Sequence, residues 1–91
     1  MIFEWDSNKD RINITKHGLS FEQAKEIFSS RTTLFIADEV VDGEERWKAV
    51  GTIAGYRYIL VVHTYYDDDD TEVVRIISAR KLKSKEVQKW L

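Results

Sequence analysis

At 91 residues and 43% apolar content, the chain has material for one modest core and no room for a second domain. It has no cysteine and only two histidines, His17 and His63, outside any zinc-ligand spacing; this excludes a disulfide framework or thiolate metal site, and no metal or cofactor is expected. The net charge of −2 hides a polarity, since residues 1–74 hold 8 Lys or Arg against 15 Asp or Glu and residues 75–91 hold 6 against 1. Such a split fits a basic groove on an acidic body, a basic surface that meets an acidic partner, or a solvated lysine-rich tail.

Taken in order, Ile2 to Trp5 is apolar and aromatic and predicts a short first strand. Nothing there combines a basic region with an apolar run, and the longest apolar run, Tyr58 to Val62, is too short for a bilayer, so a cytoplasmic protein without membrane contact is expected. Asp6 is a candidate N-cap for a helix over Ser7 to His17, ended by Gly18 at the position that favours positive φ. Its only apolar residues, Ile12 and Ile14, do not form a helical stripe. Ser20 and Gln23 form a capping box for a second helix, whose Phe21, Ala24, Ile27 and Phe28 make an apolar face for the core.

Thr32 to Ala37 reads as a strand, Asp38 to Glu45 as an acidic loop, and Arg46 to Thr52 as a strand with Arg46, Lys48 and Val50 on one side and Trp47 and Ala49 on the other. Tyr56 to Arg80 then reads as two antiparallel strands around the acidic segment Asp67 to Asp70. That segment lacks the Gly of a tight turn, so a longer loop is expected, and the register is open between His63 opposite Arg75 and His63 opposite Val74. Ser84 opens a short final helix with Val87, Trp90 and Leu91 turned inward. The order β-α-α-β-β-β-β-α predicts the α+β class: an antiparallel sheet with two N-terminal helices packed on one face and a short C-terminal helix.

Arg46, His63, Arg75 and Arg80 sit in strands that are otherwise apolar, where an unpaired charge is costly. Each has an ordinary structural explanation, a cross-sheet salt bridge with Glu44, Glu45 or Glu72 or a hydrogen-bonded half-buried imidazole. Arg75 and Arg80 are five apart and nominally face opposite sides, so they share a surface only if the strand bulges near Ser78. Arginines with a His or Glu and no metal ligands suggest metal-independent RNA cleavage: His63 or Glu45 takes the 2′-hydroxyl proton, and guanidinium groups neutralise the phosphate. Lys16, His17, Lys48 and Lys81 are the further cations expected to hold RNA, and the expected site gathers the arginines around His63 on a solvent-accessible sheet face.

Phe3-Glu4-Trp5-Asp6, Lys9, Asn13, Lys16-His17-Gly18, Phe21, Ala24, Gly43-Glu44-Glu45-Arg46, Gly51, Val61-Val62-His63-Thr64 and Arg75-Ile76-Ile77-Ser78-Ala79-Arg80 together resemble the BrnT toxins of bacterial type II toxin–antitoxin systems. The match runs in order over nearly the whole chain. It implies one RelE-like domain over residues 1–91 and ribonuclease activity that inhibits translation. It also implies a BrnA-type ribbon-helix-helix antitoxin, a toxin–antitoxin heterotetramer that represses its own operon, and operator DNA contact only through the antitoxin. The family motifs coincide with Arg46, His63, Arg75 and Arg80. One departure is Tyr65-Tyr66 followed by four aspartates where the family commonly has a basic residue, and carboxylates there repel an RNA backbone unless they point away. The alternative is a non-catalytic scaffold that serves as antitoxin partner and co-repressor.

Overall fold

A computed structural model describes residues 1–90. It contains β1 (Ile2–Glu4), α1 (Ser7–His17), α2 (Phe21–Ala24), β2 (Leu34–Val41), β3 (Glu44–Ile53), β4 (Tyr56–Asp68), β5 (Thr71–Lys81) and α3 (Ser84–Trp90). The strands form one sheet in the order β1-β5-β4-β3-β2. Strands β2 to β5 are an antiparallel meander, and β1 adds to β5 in parallel. The α+β class and element order expected from the sequence are those observed, and Leu91, expected inward on the last helix, lies outside the described residues.

Both ends of α1 follow from its flanking residues. The Asp6 carboxylate accepts from the Asn8 and Lys9 N–H groups at 2.8 and 3.3 Å, and those bonds hold its pKa below the usual carboxylate value. Gly18, at φ +66°, donates to the Ile14 carbonyl and lets the chain turn away. Ser20 and Gln23 close the expected capping box on α2, which continues as a 3₁₀ turn over Lys25–Ser29. Phe21, Ala24 and Ile27 are fully buried against Ala49, Ile59, Val61, Ile76 and Ala79 of the sheet, and this layer is the core.

Helix α1 docks by a polar device. Its one buried residue is Asn13, while Ile12 and Ile14 stay exposed. Strand β1 pairs only with Val73–Arg75, so the outer edge of β5 beyond it has no strand partner. The Asn13 amide takes that place at Ala79: Nδ2 donates to the Ala79 carbonyl at 2.7 Å and to the Leu19 carbonyl at 2.8 Å, and Oδ1 accepts from the Ala79 N–H at 3.2 Å. One side chain thus satisfies three buried backbone groups that water cannot reach.

The hairpins are tighter than the sequence suggested. Strands β2 and β3 consume most of the expected loop Asp38–Glu45 and leave only Asp42 and Gly43, at φ +51° and +78°, as the turn. Strands β4 and β5 likewise leave only Asp69 and Asp70, at φ +51° and +67°. Asp tolerates this left-handed backbone well enough to form a two-residue turn without glycine, so the longer loop does not form. Neither expected register occurs: His63 faces Ile76, and Arg75 faces Thr64. The two-residue turn sets this register without a break from Asp68–Thr71 to His63–Ile76, and beyond it a bulge leaves Ile77 as an extra residue before the Val62–Ser78 pair.

Both acidic turns lie at the same end of the sheet, because β3 starts beside the stretch where β4 finishes. Glu44, Glu45, Asp42 and Asp67–Asp70 therefore gather there, while Lys81 and α3 occupy the other end. The charge split along the sequence becomes a charge split along the strands.

Candidate functional site

The sheet has two unlike faces, and the side on which each polar strand residue falls follows from the pairing, since directly opposed residues share a face. On the helix-covered face lie Ala49, Ile59, Val61, His63, Ile76 and Ala79. On the other face, Thr64–Arg75 and Leu60–Arg80 are opposed pairs, so Arg75 and Arg80 share it. The bulge at Ile77, beside Ser78, makes this possible for residues five apart, which is the condition the sequence reading set.

One rung crosses this open face. Glu4 faces Arg75, Arg75 faces Thr64, and the β3–β4 register extended by one pair beyond Trp47–His63 sets Arg46 opposite Thr64. Arg75 Nη1 donates to Glu4 Oε2 at 2.8 Å. Arg46 Nε and Thr64 Oγ1 are buried and have no hydrogen-bond partner among the described residues. Unpaired buried polar groups of this kind are uncommon in proteins. The next rungs carry Lys48 with Val62 and Ser78, then Arg80 with Leu60.

Helix α3 closes one end of the face. Arg80 grips Glu86 through two bonds, Nη1 to Oε1 at 2.8 Å and Nη2 to Oε2 at 2.7 Å. These bonds, with the Lys83 N–H, hold the Glu86 carboxyl at about 2 and push the Arg80 guanidinium further up. Lys48 Nζ lies 3.4 Å from Asp38 and 5.8 Å from the centre of the Trp90 ring.

His63 is not part of this surface. It is fully buried on the helix side, its ring edge-on to Phe28 at 4.8 Å between centroids and to Phe35 at 6.2 Å. Nδ1 lies 3.1 Å from the Val61 carbonyl and Nε2 3.0 Å from the Tyr65 hydroxyl, which fits an Nδ1–H tautomer that donates to Val61 and accepts from Tyr65. Burial pushes its pKa below 6.5, with the Val61 bond opposing, so the imidazole is neutral at pH 7. The expected gathering of arginines around His63 therefore fails, because the observed register puts the imidazole on the opposite side of the sheet from Arg75.

Glu45 faces Val40 and, by strand alternation from Trp47, also points to the helix side. Lys16 and His17 end α1 in the helix layer, away from the arginines. Lys81 ends β5 with Nζ 5.2 Å from the Tyr56 ring centre. Of the expected site residues, the structure joins Arg46, Lys48, Arg75 and Arg80 on one face and leaves His63, Glu45, Lys16 and His17 elsewhere. Two carboxylates on that face, Glu4 and Glu86, were not singled out from the sequence. A signal existed for the second, which is the only acid among residues 75–91.

The acidic turn lies clear of these cations. Its nearest carboxylate, Asp67, is three residues along β4 from Thr64, roughly 10 Å at 3.4 Å per residue, and the others lie further out. That is slightly more than the Debye length of roughly 8 Å at physiological salt, so the segment's repulsion is partly screened at Arg75 and more so at Arg80.

Against known protein families, residues 5–86 match the model for the ribonuclease toxin BrnT of type II toxin-antitoxin systems. The chain belongs to the BrnT family. It is also similar to a solved structure, the 1.1 Å crystal structure of the Brucella abortus ribonuclease toxin BrnT, with a TM-score of 0.73 and 27% identity over 92% of this chain and 100% of that one. No curated protein matches it significantly in sequence. A BrnT family member is by class a ribonuclease toxin with an antitoxin partner. Among the described residues no helix is long and apolar enough to cross a membrane.

Proposed function

We propose that the chain is an RNA-cleaving toxin that works on the open sheet face, with Arg46, Lys48, Arg75 and Arg80 holding the phosphate backbone and no metal taking part. The observation that carries this reading is the rung Arg46–Thr64–Arg75–Glu4, in which two arginines flank a buried hydroxyl that has no hydrogen-bond partner among the described residues. Guanidinium groups bind phosphate oxygens in pairs, and fixed donors aimed at developing charge are typically the largest catalytic contribution. RNA brings its own nucleophile, the 2′-hydroxyl: the base takes its proton, the new 2′-O–P bond replaces the P–O5′ bond, and the leaving 5′-oxygen takes a proton from solvent, so the protein supplies the base and the charge stabilisation.

Glu4 is the base in this reading. It is half-buried and sits beside Arg75 on the same rung, whereas Glu86, its pKa held at about 2, is a poor base. The Arg75–Glu4 pair is about a third exposed on each side. Pairs exposed to that degree contribute about 1 kcal/mol or less, so an incoming phosphate can displace the carboxylate from the guanidinium. His63 acts as a framework residue that packs β4 under Phe28. The antitoxin is BrnA-type, with a ribbon-helix-helix domain that carries the operator contact, and the complex is a heterotetramer that inhibits translation when it dissociates.

One observation favours a second reading, a non-catalytic antitoxin-binding and co-repressor module: Arg75 and Arg80 are each already held by a carboxylate of the same chain. Purified antitoxin-free protein incubated with RNA in EDTA separates the two. Cleavage leaving 2′,3′-cyclic phosphate and 5′-hydroxyl ends supports the toxin mechanism, with at least a 100-fold loss in Glu4→Gln and Arg75→Ala. Intact RNA at micromolar folded protein leaves the binding module.

A further inference from the structure

Arg80 is followed on the open face by one more rung. Tyr58 and Leu82 are joined there by the Leu82 N–H, which donates to the Tyr58 carbonyl at 3.1 Å. This rung is two residues from Leu60–Arg80, a step of roughly 7 Å along the strand. Between it and α3 lies a cavity of about 400 Å³ whose walls include Arg57, Tyr58, Lys81, Leu82, Val87 and Gln88. No acidic residue lines it among the described residues, although the chain as a whole has more acids than bases.

The composition of those walls is specific. Tyr58 offers an aromatic face, Leu82 and Val87 supply apolar contact on either side, and Gln88 carries both an amide donor and an acceptor. Arg57 and Lys81 are exposed cationic residues that also border the cavity, with Lys81 Nζ resting 5.2 Å from the Tyr56 ring centre. A cavity that brings together an aromatic ring, two aliphatic side chains, one hydrogen-bonding amide and two cationic residues fits a nucleobase with its phosphate, because bases stack on aromatic rings and are read along their edges. Two hydrogen bonds from Arg80 to Glu86 join α3 to β5 beside the cavity.

We propose that this cavity is a nucleotide subsite for the RNA base next to the phosphate held at Arg80. Tyr58 stacks the base, Gln88 reads its edge, and Arg57 and Lys81 hold the following phosphate. The inference rests on the RNA-cleaving reading of the same face and adds to it a source of sequence preference beside the cut.

The test uses the antitoxin-free full chain and two readouts. In the first, a short RNA pool randomised around one ribonucleotide position is cleaved and the flanking bases are sequenced. Wild type is expected to favour one base at a position adjacent to the cut, and Gln88→Ala and Tyr58→Ala are expected to flatten that preference at least fivefold, while Tyr58→Phe keeps it. Gln88 is exposed on α3, so its substitution is not expected to disturb the fold. In the second, binding of an uncleavable 2′-deoxy oligonucleotide carrying the favoured base, or a mixed sequence if nothing is cleaved, is expected to weaken about tenfold in Gln88→Glu and Tyr58→Ala. Cleavage with an unchanged flanking profile in the variants, or oligonucleotide binding that they leave unchanged, overturns the subsite while the ribonuclease stands. Binding that responds to Tyr58 and Gln88 without any cleavage upholds the subsite and overturns the mechanism. Absence of both binding and cleavage overturns the two together.

Discussion

Asn13 offers the most direct check on how the helix layer is fixed to the strand that carries Arg75 and Arg80. Replacing it with alanine removes three hydrogen bonds and leaves the Ala79 N–H, the Ala79 carbonyl and the Leu19 carbonyl buried without partners. At about 1 kcal/mol net for each bond, the expected loss is about 3 kcal/mol, a large part of the 5–15 kcal/mol that holds a typical domain folded. A domain of this size shifts by about 4–8 °C per kcal/mol, so the melting temperature should fall by roughly 12–24 °C. Urea denaturation followed by tryptophan fluorescence measures the loss. Asn13→Asp is the sharper control, because its carboxylate accepts from the Ala79 N–H but faces two carbonyl oxygens with no proton to give. At neutral pH it should be at least as unstable as Asn13→Ala. The buried carboxyl has a raised pKa in the folded state, so part of the loss should return as pH falls into the carboxylate range and the protonated acid donates. A loss below about 1 kcal/mol in Asn13→Ala, or no pH dependence in Asn13→Asp, would refute the idea that one amide substitutes for a missing strand.

Other outcomes follow from the titrating groups. Burial depresses the His63 pKa below 6.5, so the unfolded chain takes up a proton that the folded one refuses. Stability should be flat above that value and decline as pH falls below it; comparing urea midpoints of wild type and His63→Phe between pH 7.5 and 5.5 should show a slope in wild type that the variant lacks. Glu86 is depressed to about 2, so its hold on Arg80 is complete above its usual value of 4.5 and is lost only as pH falls through about 2. The indole N–H resonance of Trp90 should stay in place from pH 7 to 4, and in Glu86→Gln it should already be shifted at pH 7; a midpoint near 4.5 in wild type would count against the bridge.

The element order, the α+β class and both capped helices were legible because their signals are local: Asp6 and Gly18 bracket α1, and Ser20 with Gln23 opens α2. The inward residue of α1 was not legible, since a helix that docks through a single asparagine has no apolar stripe to find. Register was the larger loss. It depends on a two-residue turn made by Asp69 and Asp70 rather than glycine and on one extra residue at Ile77, and each moves side chains between faces. The arginine face survived this because the bulge had been named as its condition, whereas His63 and Glu45 did not. Glu4 was read as part of a short strand and of the motif Phe3-Glu4-Trp5-Asp6, without a role at the site.

The measurement that tests the account most directly is a comparison of cleavage rates on one RNA, in EDTA, across folded variants from the two sides of the sheet. Arg80→Ala and Arg46→Ala should each lose about 100-fold or more, in line with the removal of one group that stabilises transition-state charge, while keeping the wild-type circular dichroism spectrum. Glu45→Ala should cleave at the wild-type rate, and His63→Gln within a few-fold of it at a temperature where it is fully folded. A folded His63→Gln with no activity, beside arginine variants that cleave normally, would contradict the assignment and move the chemistry to the helix-covered face.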